Sequence, residues 1–79
     1  MSDEVMARVA RVIRETFGDE SLVVTRETIA EDVAGWDSLS HTIVVLAIGD
    51  EFGIELPPNT RAFANVGELA DTIQSLIAS

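Results

Sequence analysis

The chain has no cysteine, no lysine and no tyrosine, and these absences exclude several classes of protein. Without cysteine, neither a disulfide framework nor a thiolate metal site can form. With one histidine and no calcium-loop spacing of acids, we predict no metal site. No apolar run reaches the roughly 18–20 residues that span a bilayer, and the acidic N-terminus lacks the apolar core of a secretory signal. We therefore predict a soluble, cytoplasmic protein without a membrane span.

Basic residues are also scarce. Fourteen acidic residues stand against five arginines, which gives the 79-residue chain a formal net charge of −9. Nucleic acids and anionic membranes bind basic patches, so we predict that the chain binds neither. The acidity either attracts positively charged protein partners or only keeps the protein in solution, and both interpretations stay open. A chain this short forms one domain, over residues 1–79.

The first segment predicts an amphipathic helix that stops at Gly18. Its apolar face has helical spacing and comprises Val5, Val9, Val12, Ile13 and Phe17. Beside it lie Arg8, Arg11 and Arg14. We interpret these arginines as a solvated flank that offsets nearby acids rather than as a docking surface. Residues 19–36 have no sustained period and predict a long ordered loop whose end is anchored by the ring of Trp36.

A second helix is predicted to begin at Asp37 or Ser38, both good N-caps, and to end at Gly53. Its interior, residues 42–48, is apolar almost all round, so the helix is either heavily buried or faces a partner. Gly49 inside this helix costs about 1 kcal/mol relative to alanine, which suggests a close approach or a packing role.

The last helix is predicted to start at Asn65, with Glu68 three residues later as a capping-box partner. A short helical turn is predicted over Asn59 to Phe63, after two consecutive prolines. No alternating strand pattern is present. The fold class is therefore all-α: a small four-helix bundle of three main helices and one short helix, with a long loop between the first and second helices.

Ser38 is the most informative residue of the chain. A hydrolase built on Ser38 and His41 is a poor interpretation, because the sequence has no glycine-rich elbow and no third group to orient the base. Free N–H groups and the positive end of the helix dipole at the first turn stabilise an added anion. Ser38 is therefore a candidate for a phosphodiester modification, although Asp37-Ser38-Leu39 alone is weak evidence for one. The simpler interpretation, that Asp37 and Ser38 only cap the helix, stays open at this point.

Three stretches give the chain a wider resemblance: Gly35-Trp36-Asp37-Ser38-Leu39-Ser40-His41, Glu51-Phe52-Gly53-Ile54-Glu55-Leu56-Pro57 and Asn65-Val66-Gly67-Glu68-Leu69-Ala70. With them, the chain resembles the acyl carrier protein family over nearly its whole length. The resemblance implies that a phosphopantetheinyl transferase attaches 4′-phosphopantetheine from coenzyme A to Ser38. It also implies that the arm carries acyl groups as thioesters and that the carrier itself is not an enzyme. The expected partners are acyl-transferring or acyl-activating enzymes, and we predict a monomer.

The second helix departs from the family pattern. Family members in fatty acid synthesis usually have a glutamate-rich second helix, whereas the matching positions here hold Ile43 and Gly49. We predict a partner surface that combines the remaining acids with an apolar strip: Asp37, Leu39, Ile43, Leu46, Asp50 and Glu51. Among fatty acid, polyketide and specialised acyl pathways, these departures favour a specialised one. The alternative function is an unmodified helical adaptor that binds a protein through its second helix.

An acyl chain could shelter among apolar residues of the bundle, where each buried CH₂ contributes about 0.8 kcal/mol. The candidate lining residues are Val45, Ala47, Ile48 and Ile73. The plainer interpretation is that they belong to the core.

Overall fold

The structure is a computed structural model that describes residues 2–57 and 62–78. Three α-helices run over Ser2–Phe17 (α1), Ser38–Phe52 (α2) and Val66–Ala78 (α3). The described part of the chain contains no strand, so the predicted all-α class and its three main helices are confirmed. None of these helices is both long enough and apolar enough to cross a membrane.

The prediction of a fourth, short helix is not matched by a helix at the predicted position among the described residues. The predicted turn falls on Asn59 to Phe63, and its first three residues lie outside the described residues, while Ala62 and Phe63 are not helical. A 3₁₀ turn instead occupies Ala30–Asp32, inside the long first loop, where the sequence predicted no element.

The core lies where α1 packs against both α2 and α3. The predicted apolar face of α1 is buried except for its last member, Phe17, which is half-buried. The side chains with essentially no exposed surface come from all three helices and fill the interior: Val9, Ile13, Val44, Ile48, Val66, Leu69 and Ile73. Burying each of them contributes about 1.5–3 kcal/mol, so this cluster supplies the main stabilisation of the bundle.

Helix α2 ends in a tight turn that requires two glycines. Gly53 has a φ of 65°, in the left-handed region that glycine adopts without strain. The Ile54 N–H donates to the Gly49 carbonyl at 3.0 Å, which closes the helix end. A Cβ at Gly49 would lie 2.8 Å from the Ile54 carbonyl oxygen. The close approach suggested by the sequence is therefore present, and its partner is the backbone that follows the helix.

The long first loop is fastened to the start of α3. The N–H groups of Val66 and Gly67 donate to the carbonyls of Thr28 and Arg26, both at 2.9 Å. These bonds satisfy two N–H groups that have no partner inside the helix. Gly67 permits the approach, because a Cβ there would lie 2.9 Å from the Cβ of Arg26. The loop is thus held at its middle, which determines where its last residues meet α2.

Asn65 and Glu68 complete the start of α3. The Asn65 side chain accepts the Glu68 N–H at 2.8 Å, as the capping prediction requires. The Glu68 carboxylate reaches back to the Ala64 N–H at 3.2 Å, one residue before the position expected for a capping box.

Candidate functional site

Ser38 is the first residue of α2, and its side chain is exposed. It lies at the edge of an open depression of about 430 Å³. Ala30 of the 3₁₀ turn, Trp36, Asp37 and His41 form the rest of the lining. The hydroxyl is therefore reachable from solvent, at the junction of the long loop and a rigid helix.

The residues on both sides of Ser38 are tied together by hydrogen bonds. The Asp37 carboxylate accepts the Ser40 N–H at 2.9 Å, which confirms the predicted N-cap. The Ser40 hydroxyl donates to the Gly35 carbonyl at 2.9 Å. The Trp36 Nε1–H donates to His41 Nδ1 at 3.2 Å. The backbone around Ser38 is fixed, and its side chain is left outside this network.

The electrostatics of the turn suit an added anion. The hydrogen bond from the Ser40 backbone N–H is the main cause that lowers the pKa of Asp37 below its ordinary value of 3.8. Asp37 is therefore ionised at neutral pH and caps the helix as a carboxylate. The N-terminal end of α2 also carries a partial positive charge from the helix dipole, which favours a phosphate on Ser38.

His41 is not placed as a base for Ser38. Because Nδ1 accepts the Trp36 N–H, the neutral imidazole carries its own proton on Nε2. Neither ring nitrogen then has a lone pair left to take the proton of the serine. This geometry argues against the hydrolase interpretation.

Four rings from four segments form a cluster beside Ser38, which we call the ring cluster: Phe17, Trp36, His41 and Phe63. The centroid of Trp36 lies 5.4 Å from Phe17, 6.1 Å from His41 and 6.2 Å from Phe63. His41 and Phe63 are 5.1 Å apart. The sequence predicted that Trp36 anchors the loop but did not group it with the other three. The only feature of the sequence that could have indicated this cluster is its small number of aromatic residues.

The outward face of α2 carries an apolar strip, which we define as Leu39, Ile43 and Leu46. Their exposed fractions are 71%, 46% and 65%. No charged residue occurs between Ser38 and Gly49. Beside Leu46 lies a small, mostly apolar groove of about 110 Å³ that is lined by His41, Thr42 and Val45.

The three predicted partner-binding acids lie in different settings. Asp37 and Asp50 are exposed at the two ends of α2. Glu51 instead faces α1, where its carboxylate accepts a hydrogen bond from Arg8 Nε at 2.9 Å and pairs with Arg11. The bond from Arg8, followed by that from Arg11, lowers the pKa of Glu51. Its charge is therefore engaged inside the fold, and the arginine flank offsets an acid as expected.

The four candidate lining residues do not face one space. Ile48 and Ile73 are fully buried in the core. Val45 borders the groove beside Leu46, and Ala47 borders a separate depression against α1. For Ile48 and Ile73, the core interpretation accounts for their positions.

Together, the all-helical fold and the position of Ser38 define a small helical bundle with a solvent-exposed serine at the start of its second helix. No protein-family model matches the chain. The solution NMR structure of a holo acyl carrier protein from Geobacter metallireducens superposes on it with a TM-score of 0.85 and 33% sequence identity. The match covers 94% of this chain and 86% of that one. The chain belongs to the acyl carrier protein family.

Proposed function

We propose that the chain carries acyl groups as thioesters on a 4′-phosphopantetheine arm attached to Ser38 and presents them to partner enzymes. The observation that carries this proposal is the exposure of Ser38 at the first turn of α2, beside an open depression, in a member of this family. The proposed carrier is a single domain over residues 1–79, a monomer, cytoplasmic and not an enzyme.

The attachment step uses groups that the chain presents and groups that a transferase supplies. The Ser38 oxygen forms a bond to the phosphorus of the phosphopantetheine half of coenzyme A, while the pyrophosphate bond breaks and an adenosine bisphosphate leaves. The serine proton goes to a base of the transferase, because His41 Nδ1 is occupied by Trp36. The helix N-terminus then stabilises the charge of the phosphodiester.

The residues around Ser38 fit such a group. The hydroxyl is exposed, the neighbouring depression of about 430 Å³ is open to solvent, and the first turn of α2 favours an anion. The arm supplies a thiol to a chain that has no cysteine of its own. The protein contributes a fixed attachment point and a surface that partner enzymes recognise.

We further propose that partners dock on α2 through the apolar strip, with Asp37 and Asp50 at its ends. Asp50 lies thirteen positions after Asp37, so the two acids are about 20 Å apart along the helix. A complementary partner presents an apolar groove with a cationic group near each end. Glu51 is the weakest member of the predicted surface, because its carboxylate already pairs with two arginines.

The apolar strip also bears on the pathway. Electrostatic docking along the helix would need charges between its ends, and residues 38–49 have none. We therefore propose a specialised acyl or polyketide pathway rather than the general fatty acid pathway.

The proposal is tested by incubating the chain with coenzyme A and a broad-specificity phosphopantetheinyl transferase, followed by mass spectrometry. We expect a mass gain of one phosphopantetheine group in the wild type and none in Ser38→Ala. Ser40→Ala is the matched control, since it removes a hydroxyl from the same turn and should still gain the group. The proposal is wrong if the wild type is not modified or if Ser38→Ala is.

The exposed strip also supports the alternative, an unmodified adaptor that binds a partner through α2. The two functions differ in their dependence on Ser38. An adaptor would keep full activity as Ser38→Ala in a complementation assay and lose it when Leu46 is replaced by serine. A carrier loses activity in both variants.

A further inference from the structure

We propose that Trp36 and His41 are positioning residues, which hold Ser38 in the geometry that the modifying transferase requires. The inference rests on the proposed function and concerns how the attachment serine is presented. Neither residue contacts the reacting phosphorus in this proposal; both act through the backbone of the turn.

The first residues of a helix need such support. Their N–H groups have no partner one turn earlier, so the first turn of a helix frays more readily than its interior. Ser38 is the first residue of α2, and its position therefore depends on contacts that its neighbours make outside the helical ladder. Because the Ser38 oxygen must attack the phosphorus from one direction, the transfer is sensitive to displacements of about 1 Å at this nucleophile.

The Trp36–His41 hydrogen bond encloses Ser38. It joins the residue two positions before the serine to the residue three positions after it, at 3.2 Å. The bond from the Ser40 hydroxyl to the Gly35 carbonyl runs parallel to it along the chain, also across Ser38. Both links span five residues, which exceeds the three- or four-residue spacing of contacts within a helix. They tie the loop to α2 rather than strengthening the helix itself.

The ring cluster fixes this tie to the rest of the bundle. Phe17 is the last residue of α1, and Phe63 precedes α3. Trp36 contacts both rings, with centroids 5.4 Å and 6.2 Å away. The turn that holds Ser38 thus contacts the end of α1 and the segment before α3 through half-buried rings.

Packing alone does not explain the polar pair. Phenylalanine at either position would keep ring contacts within the cluster without introducing an indole N–H or an imidazole nitrogen that needs a partner. The bond needs one orientation of the indole and the tautomer of His41 that leaves Nδ1 free. Both residues are only half-buried and line the depression next to Ser38. A directional hydrogen bond beside the site is suited to fixing the geometry of the turn that carries Ser38, whereas apolar packing alone would suffice to fill a core.

The test separates ring packing from the hydrogen bond. Trp36→Phe and His41→Phe keep a ring and remove the donor or the acceptor. His41→Asn places an amide oxygen near the position of Nδ1 and restores an acceptor. The double variant, Trp36→Phe with His41→Phe, completes a mutant cycle. Phe52→Leu is the control for loss of an aromatic residue, since Phe52 lies under Arg8 and outside the ring cluster.

Two measurements are made on each folded variant: the kcat and KM of phosphopantetheinylation, and the amide hydrogen exchange of residues 38–41 in the unmodified chain. Trp36 is the only tryptophan, so its indole N–H gives one NMR resonance that reports directly on the bond in the chains that retain it. This resonance should exchange slowly in the wild type and in His41→Asn, and rapidly in His41→Phe.

We expect each phenylalanine variant to lower kcat by about two- to tenfold. This is the change in rate that corresponds to the net contribution of one hydrogen bond. KM should change less, and exchange at residues 38–41 should accelerate. His41→Asn should recover kcat to within about twofold of the wild type, and the double variant should lose no more than either single one.

Three results would overturn the inference: a wild-type kcat in both phenylalanine variants although the indole bond is lost, no recovery in His41→Asn despite a protected indole N–H, or losses that add in the double variant. An unmodified wild type would overturn the proposed function itself. That failure is distinct, because it appears before any variant is compared.

Discussion

Replacing Gly49 by alanine gives a prediction whose sign depends on the structure. Helix propensity alone expects a stabilisation of about 1 kcal/mol, because Gly49 lies inside α2. The structure expects the opposite. The added Cβ would lie 2.8 Å from the Ile54 carbonyl oxygen, closer than real Cβ atoms approach such an atom. This neighbour is backbone, so the turn after the helix must shift as a whole.

The magnitude follows from the contacts that the shift disturbs. Overpacking of this kind costs about 1–3 kcal/mol. Moving Ile54 also weakens its hydrogen bond to the Gly49 carbonyl, which contributes about 0.5–1.5 kcal/mol. After subtracting the propensity gain, we expect Gly49→Ala to lower the free energy of unfolding by about 0.5–3.5 kcal/mol. In a domain of this size, each 1 kcal/mol lowers Tm by about 4–8 °C.

Urea denaturation followed by far-UV circular dichroism measures this change. Gly53→Ala is the matched control, because no atom lies within 4 Å of its added Cβ and its cost comes only from the positive φ of 65°. Asparagine tolerates that conformation, so Gly53→Asn should recover part of the control's loss. No larger side chain should rescue position 49. A Gly49→Ala variant with a raised Tm would refute the close approach of Ile54.

Three further predictions concern charge and docking. Asp37→Asn should reduce the loss of stability that the wild type shows in acid. The bond from Ser40 lowers the folded pKa of Asp37, so the contribution of this carboxylate is complete above its ordinary pKa of 3.8 and is lost as pH falls through the folded pKa, while the contribution of Glu51 remains. Acid titration followed by circular dichroism checks this. Glu51→Gln should lower Tm at low salt and less so at high salt, because ion pairs with two arginines are lost. Leu46→Ser should weaken transferase binding at least tenfold at every salt concentration, whereas Asp50→Asn should change mainly the salt dependence of binding, as measured by calorimetry. If the affinity of the wild type and of Asp50→Asn fell equally with salt, the cationic groups proposed at the ends of the partner's groove would be contradicted.

The helices could be predicted because their signals are local. Period, caps and glycine stops lie within a few residues of the ends that they determine, and α2 runs from Ser38 to Phe52 as expected. Helix α1 begins at Ser2, ahead of its first apolar residue, since nothing in the sequence marks that end sharply. The path of the first loop could not be predicted. It depends on bonds such as that from Val66 to Thr28, between residues far apart in the chain.

In the candidate site, too, features set by neighbouring residues could be predicted and those set by distant residues could not. Ser38 could be named as a candidate site because the motif around it is contiguous in the sequence. The helix cap that places it is formed by its immediate neighbours. The role of Glu51 was not, because its partner Arg8 is 43 residues away and the sequence shows only an acid near the end of α2. Trp36 and His41 were both noted, but a five-residue spacing belongs to neither helical nor strand periodicity, so their hydrogen bond was not expected.

The four arginines in the described part of the chain all interact with other groups of the protein, and this bears on how coenzyme A would meet the proposed carrier. Arg8 and Arg11 bind Glu51, Arg14 donates to the Leu22 carbonyl, and Arg26 pairs with Asp71. Coenzyme A is itself a polyanion, and a surface with a net charge of −9 repels it. We expect productive encounters to follow an order: the nucleotide binds first to a positively charged enzyme, and the carrier then joins a complex whose charge has already been reversed. In the proposed modification, this acidity keeps free coenzyme A away from Ser38 until a transferase holds both molecules.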